Sequence, residues 1–317
     1  MSKKSQILKY FQKKSFLTVK NKLYAESISF LFCWLAENDH LHSDITTKTL
    51  ITPHLARAQI ISHENIIIAG VEEISCLLSK YTRLIFIPQK KDGQNIASGE
   101  IVAEIEGPAD EILSYERTIL NILQRSSGIG ARTYKILNQA RHINPDIFIA
   151  ATRKTPWMLL DKKAVAAGGG LTHRLDLSDG ILVKDNHLEQ IKRQHSLKNK
   201  SESIKKALYI LISKNKYKSF IEIETSNTKE VSVCLEAIKK LNYAQTLAVM
   251  LDNFTPQEAR NTIRKMKKDF DTENIIFEAS GGINQTNINS WAQSDADILS
   301  LGSLTHSSKA ANLSLNF

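Results

Sequence analysis

Polar and glycine residues follow six short apolar runs in the second half of this 317-residue chain. The runs are Ile147–Ala151, Gly180–Val183, Phe220–Ile223, Leu247–Leu251, Ile275–Glu278 and Ile298–Leu301. The groups that follow them are, in the same order, Thr152-Arg153-Lys154, Lys184-Asp185-Asn186-His187, Glu224, Asp252-Asn253, Ser280-Gly281-Gly282 and Gly302-Ser303. In a parallel α/β barrel the carboxyl ends of the strands share the face that carries the active site. We therefore expect these groups to lie on one face.

Five cations near these strand ends suit an anion that bears several carboxylates or phosphates. They are Arg153, Lys154, His173, Arg174 and Lys184. An arginine grips a carboxylate through two parallel hydrogen bonds, whereas a lysine acts as a point charge. Each of them alone would be interpreted as a solvated surface cation. Their grouping at the strand ends favours a binding site for a polyanion.

Glu224 and Asp252 end two neighbouring strand-like runs. In a site for Mg²⁺ and pyrophosphate, one or two carboxylates hold a metal ion that keeps most of its water. The two groups could equally accept hydrogen bonds from ribose hydroxyls, and the structural alternative is a helix cap or a counter-ion. Asp185 and His187 are too few for a metal site, and we expect them to position Lys184.

Two glycine-containing segments, Ser280-Gly281-Gly282 and Gly302-Ser303, predict phosphate-binding loops. Glycine lets backbone N–H groups approach a phosphate, and a following helix N-terminus favours the negative charge. Gly168-Gly169-Gly170 does not have the spacing of a dinucleotide-binding fingerprint, and the sequence has no Walker lysine motif.

The elements that must position these residues are strands in alternation with helices. Helical segments between the runs include Lys229–Leu241, Pro256–Lys268 and Thr286–Gln293. This alternation predicts parallel strands joined by right-handed crossovers. Six or seven such units could close a barrel, and an open doubly wound sheet is the alternative.

The first part of the chain predicts a smaller sheet and two helical regions. A helix is expected at Leu23–Glu37 and a long helical stretch at 109–141, which Gly128 and Gly130 should break into two helices. Short strands are expected at Ala58–Ser62, Ile66–Ala69, Leu84–Ile87 and Ile101–Ile105.

The net charge of +9 is concentrated in two segments. Residues 1–22 hold seven lysines and no acid, and residues 192–218 hold nine lysines or arginines and one acid, so the rest of the chain is net negative. Neither segment interleaves aromatic residues with its lysines. We interpret them as a solvated tail and a surface helix with its flanking loop, and not as a nucleic-acid interface.

Hydropathy and cysteine usage favour a cytoplasmic protein without a membrane partner. The sequence has no apolar run of the length that spans a bilayer and no secretory signal. Its three cysteines are far apart, form no CxxC motif and predict neither disulfides nor a zinc site.

The sequence resembles the quinolinate phosphoribosyltransferase family. The matching segments occur in family order and are ERTILNILQRSSGI (116–129), TRKTP (152–156), GGGLTHRLDLSDGILVKDNH (168–187), EIET (222–225), MLDN (250–253), EASGGI (278–283) and LGSLTHS (301–307). Residues 44–47, DITT, extend the likeness loosely into the first part of the chain. Where many relatives continue with TRKTTPG, this chain has Trp157 after TRKTP, so the loop there should be shaped differently.

The resemblance implies an α/β protein with an N-terminal α/β sandwich domain and a C-terminal TIM-like α/β barrel. The implied divisions are a basic tail at 1–22, the sandwich at 23–115 with the C-terminal tail packed on it, and the barrel at 116–317. It also implies transfer of phosphoribosyl from phosphoribosyl pyrophosphate to quinolinate with decarboxylation, which gives nicotinate mononucleotide, CO₂ and pyrophosphate in NAD biosynthesis. A homodimer is the implied minimal assembly, with a hexamer as a larger alternative.

The resemblance also implies roles for individual residues. The quinolinate-binding positions would be Arg117 (reaching into the neighbouring subunit), Thr152, Arg153, Lys154, His173, Arg174 and Lys184. The phosphoribosyl pyrophosphate positions would be Lys154, Glu224, Asp252, Ser280, Gly281, Gly282, Leu301, Gly302, Ser303 and His306. Lys154, Glu224 and Asp252 would be catalytic, and Glu224 and Asp252 could hold the Mg²⁺ that accompanies the pyrophosphate.

Other functions remain as alternatives. A nicotinate phosphoribosyltransferase of the salvage route would accept a monocarboxylate, but the grouping of His173, Arg174 and Lys184 favours a second carboxylate. A relative associated with molybdenum transport is disfavoured by the intact KDNH run at 184–187. From a different class, the two lysine-rich segments could belong to a nucleic-acid-binding protein.

Overall fold

A computed structural model describes residues 1–214 and 220–317. Its helices are α1 (Lys3–Phe11), α2 (Lys22–Asn38), α3 (Ile45–Leu50), α4 (Val71–Tyr81), α5 (Ala109–Arg141), α6 (Met158–Ala167), α7 (Asp185–Gln194), α8 (Lys200–Lys214), α9 (Thr228–Lys240), α10 (Pro256–Asp269), α11 (Ile288–Ala292) and α12 (Ser303–His306). Its strands are β1 (Leu55–Ser62), β2 (Ile66–Ile67), β3 (Ile85–Pro88), β4 (Asn95–Ile96), β5 (Ile101–Pro108), β6 (Phe148–Ala150), β7 (Ile181–Val183), β8 (Ile221–Thr225), β9 (Leu247–Asp252), β10 (Ile275–Ser280), β11 (Ile298–Ser300) and β12 (Leu313–Asn316).

The chain divides into two compact units that interleave along the sequence. The parallel-sheet unit comprises Met1–Gln12, Ile136–Arg153 and His173–Leu301. The antiparallel-sheet unit comprises Lys13–Lys135, Lys154–Thr172 and Gly302–Phe317. The domain boundaries inferred from the sequence stay a prediction.

The parallel-sheet unit is built on six strands in the order β6-β11-β10-β9-β8-β7. All five neighbouring pairs are parallel, and β9 aligns Leu247 with both Ile221 of β8 and Ile275 of β10. The inner strands are almost continuously buried, which is why they appear in the sequence as short apolar runs without alternation. Each of the six runs overlaps one of these strands, so the prediction of a parallel α/β sheet is confirmed.

Helix α1 also belongs to the parallel-sheet unit. The side chain of Ser2 caps its first turn, and its apolar face buries Ile7 and Phe11, which are 2% and 1% exposed. The expectation of a solvated tail over residues 1–22 is therefore wrong for this face of α1, because the many lysines of the segment obscure its apolar positions in the sequence.

The antiparallel-sheet unit has a four-stranded sheet in the order β12-β1-β5-β3. Strand β1 alternates exposed and buried residues, as expected for a sheet with one face on the core. It pairs antiparallel with β5 on one side and with β12 on the other. The four short strands expected in this region are confirmed, as is the helix expected at Leu23–Glu37.

Helix α5 is a single helix of 33 residues, so the predicted break at Gly128 and Gly130 is wrong. A Cβ added to Gly128 would lie 1.9 Å from the carbonyl oxygen of Lys309. Glycine at this position therefore serves a close backbone approach and does not end the helix.

The lysine-rich segment 192–218 begins in α7 and continues through α8, and residues 215–218 lie outside the described part of the chain. One side of α8 is buried through Ile204, Ala207 and Leu208, whereas Lys205 is exposed. Across residues 1–214 and 220–317, no helix combines the length and the apolar character that crossing a bilayer requires.

Candidate active site

The candidate residues are divided between the two units. The parallel-sheet unit holds Thr152, Arg153, His173, Arg174, Lys184, Glu224, Asp252, Ser280, Gly281, Gly282 and Leu301. The antiparallel-sheet unit holds Arg117, Lys154, Gly302, Ser303 and His306.

Glu224 and Asp252 lie at the carboxyl ends of β8 and β9, and both are half-buried. Burial raises the pKa of Glu224, the charge of Lys184 lowers it, and the charge of Asp252 raises it again. Glu224 therefore interacts electrostatically with both Lys184 and Asp252. The three residues form a carboxylate pair with an adjacent cation.

Lys184 stands just before α7, where its backbone N–H donates to Nδ1 of His187 over 2.9 Å. This bond agrees with the expectation that His187 positions Lys184. Asp185 instead pairs with Lys200, whose Nζ lies 2.7 Å from its carboxylate.

Arg153 and Arg174 form a second group of charges. Arg153 is exposed, and Arg174 is half-buried. Burial lowers the pKa of Arg174, and the positive charge of Arg153 lowers it further. The two positive charges repel each other, so an anion bound near both would relieve an unfavourable interaction.

His173 lies deeper than its expected role as an accessible cation would suggest, because only 6% of the residue is exposed. Its Nε2 is 3.1 Å from a carboxylate oxygen of Glu222 and 3.4 Å from one of Glu278. Burial alone would lower the pKa of His173, but the two carboxylates raise it to about 10. Burial also raises the pKa of Glu222 to about 7. His173 thus lies in a buried acidic pocket whose two carboxylates favour its protonated form.

Ser280-Gly281-Gly282 form a tight loop at the end of β10. Gly281 has φ of 94°, and a Cβ there would lie 2.3 Å from the side-chain oxygen of Asn253. Glycine is therefore required on both conformational and steric grounds. Helix α11 begins only at Ile288, so the loop presents backbone groups without a helix N-terminus directly behind it.

In the antiparallel-sheet unit, Lys154 and His306 both approach Gly302. A Cβ on Gly302 would lie 3.0 Å from Nε2 of His306 and 3.1 Å from Cδ of Lys154. The hydroxyl of Thr305 donates to the carbonyl of Lys154 over 2.7 Å and fixes the backbone there. The structure thus brings together three of the five candidates in this unit.

Two other candidates are placed differently from this group. The side chain of Arg117 is 59% exposed on α5, where its guanidinium lies 3.9 Å from Glu116. Leu301 is 1% exposed, so only its backbone could contact a ligand. Its N–H donates to the carbonyl of Ala150 over 3.0 Å, which occupies that donor within the sheet.

Two family models match nearly the whole length from residue 44 onward. The model for the quinolinate phosphoribosyl transferase N-terminal domain matches residues 44–127, and the model for its C-terminal domain matches residues 129–316. The chain belongs to the quinolinate phosphoribosyl transferase family.

Relatives of known name support this membership. A protein of Methanocaldococcus jannaschii, named as a probable carboxylating nicotinate-nucleotide pyrophosphorylase, is 35% identical over 88% of this chain and 93% of its own. One of the same name from Archaeoglobus fulgidus is 33% identical over 84% of this chain and 96% of its own. A solved nicotinate-nucleotide pyrophosphorylase from Francisella tularensis superposes with a TM-score of 0.77 at 26% identity, covering 92% of this chain and 96% of its own.

Among the residues that the structure describes, two groups have ligand atoms close enough to hold a metal ion. Within each group these atoms lie within 4.8 Å of one another. The first is His173 with Glu222 and Glu278, where the imidazolium already supplies the positive charge. Both carboxylates there are fully buried, which does not suit Mg²⁺ with its retained water.

The second group is Glu72, Glu73 and Asp92 at the start of α4. Lys163 lies 2.5 Å from Glu72 and 3.8 Å from Glu73, and Asp92 accepts from the N–H of Val71 over 2.9 Å. The ammonium group of Lys163 therefore takes the place that a metal ion would have between these carboxylates. Glu224 and Asp252 are half-buried, an accessibility compatible with a hydrated Mg²⁺.

Sequence reasoning did not assign functional positions to Glu222, Glu278, Arg125 or Asp161. The first two are charged residues within buried strands, and that signal alone predicts a buried polar partner. Arg125 and Asp161 form a pair with two bonds of 2.8 Å, and the side chain of Asp161 is 1% exposed.

Proposed function

We propose that this chain is a carboxylating nicotinate-nucleotide pyrophosphorylase. It transfers the phosphoribosyl group of phosphoribosyl pyrophosphate to quinolinate and releases CO₂ and pyrophosphate, giving nicotinate mononucleotide for NAD biosynthesis. The observation that carries the proposal is membership of the quinolinate phosphoribosyl transferase family over residues 44–127 and 129–316. Arg153 and Arg174, whose charges interact, supply guanidinium groups that suit a dicarboxylate.

Charge matching explains how the cations contribute to this reaction. Quinolinate carries two carboxylates, and Arg153, Arg174 and Lys184 offer positive charge for them. His173 has its charge directed at Glu222 and Glu278, so we assign its main contribution to orienting the neighbouring Arg174. Thr152 and Arg117 remain proposed quinolinate contacts.

Glu224 and Asp252 are proposed to bind Mg²⁺ together with the pyrophosphate of the co-substrate. Their hard oxygen donors, half-buried position and mutual charge repulsion fit this ion. When bound, Mg²⁺ would neutralise charge that develops on the departing pyrophosphate. The positive charge of Lys184 lowers the pKa of Glu224 and so favours its carboxylate form before substrate binds.

The glycine loops are proposed to receive the 5′-phosphate. Gly281 and Gly282 leave the backbone open to a phosphate, and Gly302 leaves room beside Lys154 and His306. The remaining proposed contacts of phosphoribosyl pyrophosphate in these segments are Ser280, Ser303 and Leu301. Because the N–H of Leu301 is bonded to Ala150, Leu301 would contribute its carbonyl oxygen, which can accept from a ribose hydroxyl but not bind the phosphate. Once the ring nitrogen of quinolinate is alkylated, the ring can accept the electron pair released as the adjacent carboxylate leaves, so the protein mainly positions charges and needs no covalent nucleophile.

A closed barrel is proposed for the parallel sheet. Its strand order is β6-β11-β10-β9-β8-β7, so the first and second strands in sequence stand at its two edges. This is the cyclic order of an α/β barrel that is opened between β6 and β7. The N-terminal α/β sandwich is likewise the arrangement proposed for the antiparallel sheet and its helices.

A homodimer, or a hexamer built from it, is proposed as the assembly. Leu23, Phe30 and Trp34 lie along one face of α2 and are 75%, 75% and 52% exposed. An apolar face of this kind suits an interface with a second copy. The cysteines are free thiols, which suits the reducing cytoplasm proposed as its location.

The test supplies quinolinate, phosphoribosyl pyrophosphate and Mg²⁺ and measures nicotinate mononucleotide and CO₂, with nicotinate as the competing substrate. Arg174→Ala and Lys184→Ala should abolish turnover with the fold intact by circular dichroism. The matched control is Lys192→Ala, a lysine of α7 that pairs with Glu189 over 3.1 Å. Near wild-type rates for either site variant, or a preference for nicotinate, would overturn the proposal.

A further inference from the structure

Helix α1 lies outside both family models, which begin at residue 44, yet it is a well-anchored part of the parallel-sheet unit. Nζ of Lys3 lies 3.2 Å from Asp297, which immediately precedes β11. The side chain of Gln6 donates to Asn274, just before β10, and accepts from Thr246, just before β9, both over 3.2 Å. These contacts place α1 at the amino-terminal ends of the strands.

Through the aromatic residues at its end, α1 also contacts the start of a fourth strand. Tyr10 stacks on Phe220, which immediately precedes β8, with ring centroids 4.5 Å apart. Phe11 meets the same ring edge-on at 5.2 Å. The helix thus covers the amino-terminal ends of four consecutive strands, at the edge of the sheet opposite to Glu224 and Asp252.

Phe11 links this helix to His173. Its carbonyl oxygen accepts the backbone N–H of His173 over 2.9 Å, and its ring lies edge-on to the imidazole at 5.1 Å. His173 has φ of 54°, a left-handed conformation that is uncommon outside glycine. Such a conformation persists only where the surroundings hold it.

The contacts of His173 therefore come from two sides. Phe11 holds its backbone and one ring edge, and Glu222 and Glu278 hold Nε2. Arg174 follows directly, and its backbone nitrogen lies 2.7 Å from Nδ1 of His173. The orientation of the Arg174 side chain therefore depends on the backbone conformation of His173.

We propose that α1 is a positioning element for the quinolinate site, which acts through Phe11 and His173 on Arg174. The inference rests on the proposed function, since quinolinate binding is its readout. Loss of the α1 contacts frees the His173 backbone to leave its left-handed conformation, so Arg174 no longer faces the substrate in a fixed direction. Phosphoribosyl pyrophosphate binding does not depend on this contact.

The experiment compares Phe11→Ala and Gln6→Ala with Phe11→Leu, which retains apolar bulk, and with Leu8→Ala, an exposed residue of the same helix. Phe11→Ala and Gln6→Ala should raise the quinolinate KM by roughly tenfold to a hundredfold, as small displacements of positioning groups do. The phosphoribosyl pyrophosphate KM should stay within about twofold, and Leu8→Ala should match the wild type. Phe11→Leu should recover most of the loss.

Hydrogen exchange of the peptide that contains His173 and Arg174 supplies a readout independent of catalysis. Faster exchange in Phe11→Ala together with the raised quinolinate KM supports the proposal. Faster exchange with an unchanged KM, or equal increases in both KM values, overturns it. The proposed function has its own test in the wild-type assay. If the wild-type protein binds phosphoribosyl pyrophosphate but does not turn over quinolinate, the proposed function is overturned, whatever the variants show.

Discussion

The pair Arg125 and Asp161 provides a sharp test of how the antiparallel-sheet unit holds its candidate residues. Its two nitrogen–oxygen distances are 2.8 Å, and the side chains are 22% and 1% exposed. Arg125 also donates to the carbonyl of Thr305 over 3.3 Å, and Thr305 in turn holds the backbone of Lys154. We consider Asp161→Ala, Arg125→Ala and the double variant.

The expected magnitudes follow from which charge is left unpaired. Breaking a buried ion pair by removing one partner costs about 3–5 kcal/mol. Asp161→Ala should lie near the lower end, about 3 kcal/mol, since Arg125 is partly exposed and can regain water. Arg125→Ala should cost more, about 4 kcal/mol, because it leaves a carboxylate that is almost fully buried. The double variant leaves no unpaired charge, so it should cost clearly less than the sum of the two.

The assay is urea unfolding followed by tryptophan fluorescence, to which Trp157 contributes because its ring lies 5.1 Å from the Arg125 guanidinium. Glu189→Ala, which removes exposed pairs of α7, is the control and should leave the unfolding midpoint unchanged. A coupling energy below about 0.5 kcal/mol would refute the reasoning, because contacting residues in a shared network couple by more than that.

Three further predictions concern pH, packing and assembly. Because burial raises the pKa of Glu224 and its ionised form is the one proposed to bind Mg²⁺, the acid limb of kcat/KM should lie above the ordinary glutamate value of 4.5, and a pH–rate profile with its limb at that value would contradict this. Gly128→Ala should lower the thermal midpoint strongly, since the new Cβ would lie 1.9 Å from the Lys309 carbonyl, and unchanged melting would count against the close approach. Mixing inactive Arg117→Ala and Lys184→Ala proteins should restore part of the activity if Arg117 serves a neighbouring subunit, whereas no recovery after subunit exchange would argue against a shared site.

The parallel strands could be predicted from the sequence because their signal is local. A strand buried on both faces is a short run of apolar residues, and polar groups mark its end, as at Glu224 and Asp252. Because parallel strands end at one edge of a sheet, the sequence predicted that the polar groups at these ends share a face. The electrostatic interaction of Glu224 with Lys184 and Asp252 agrees with that expectation.

The predictions that failed concern features that depend on distant partners. From its local sequence Gly128 is expected to break the helix. In the structure it lies inside α5, where the backbone of Lys309 approaches too closely for any side chain. Ile7 and Phe11 are two apolar positions in a lysine-rich segment, and only the strand ends they pack against make them part of the core. Local propensity is a weak guide where tertiary contacts supply most of the stability of a helix.

The sequence by itself indicated the family, the parallel strands and residue types that would suit a polyanion. Only the tertiary structure decided that His173 is buried against Glu222 and Glu278, whereas Arg174 is half-buried and Arg153 is exposed. The physical reason is that the charge state of a side chain and the direction it faces depend on burial and on neighbours far away in the chain, which residue types and spacing do not encode.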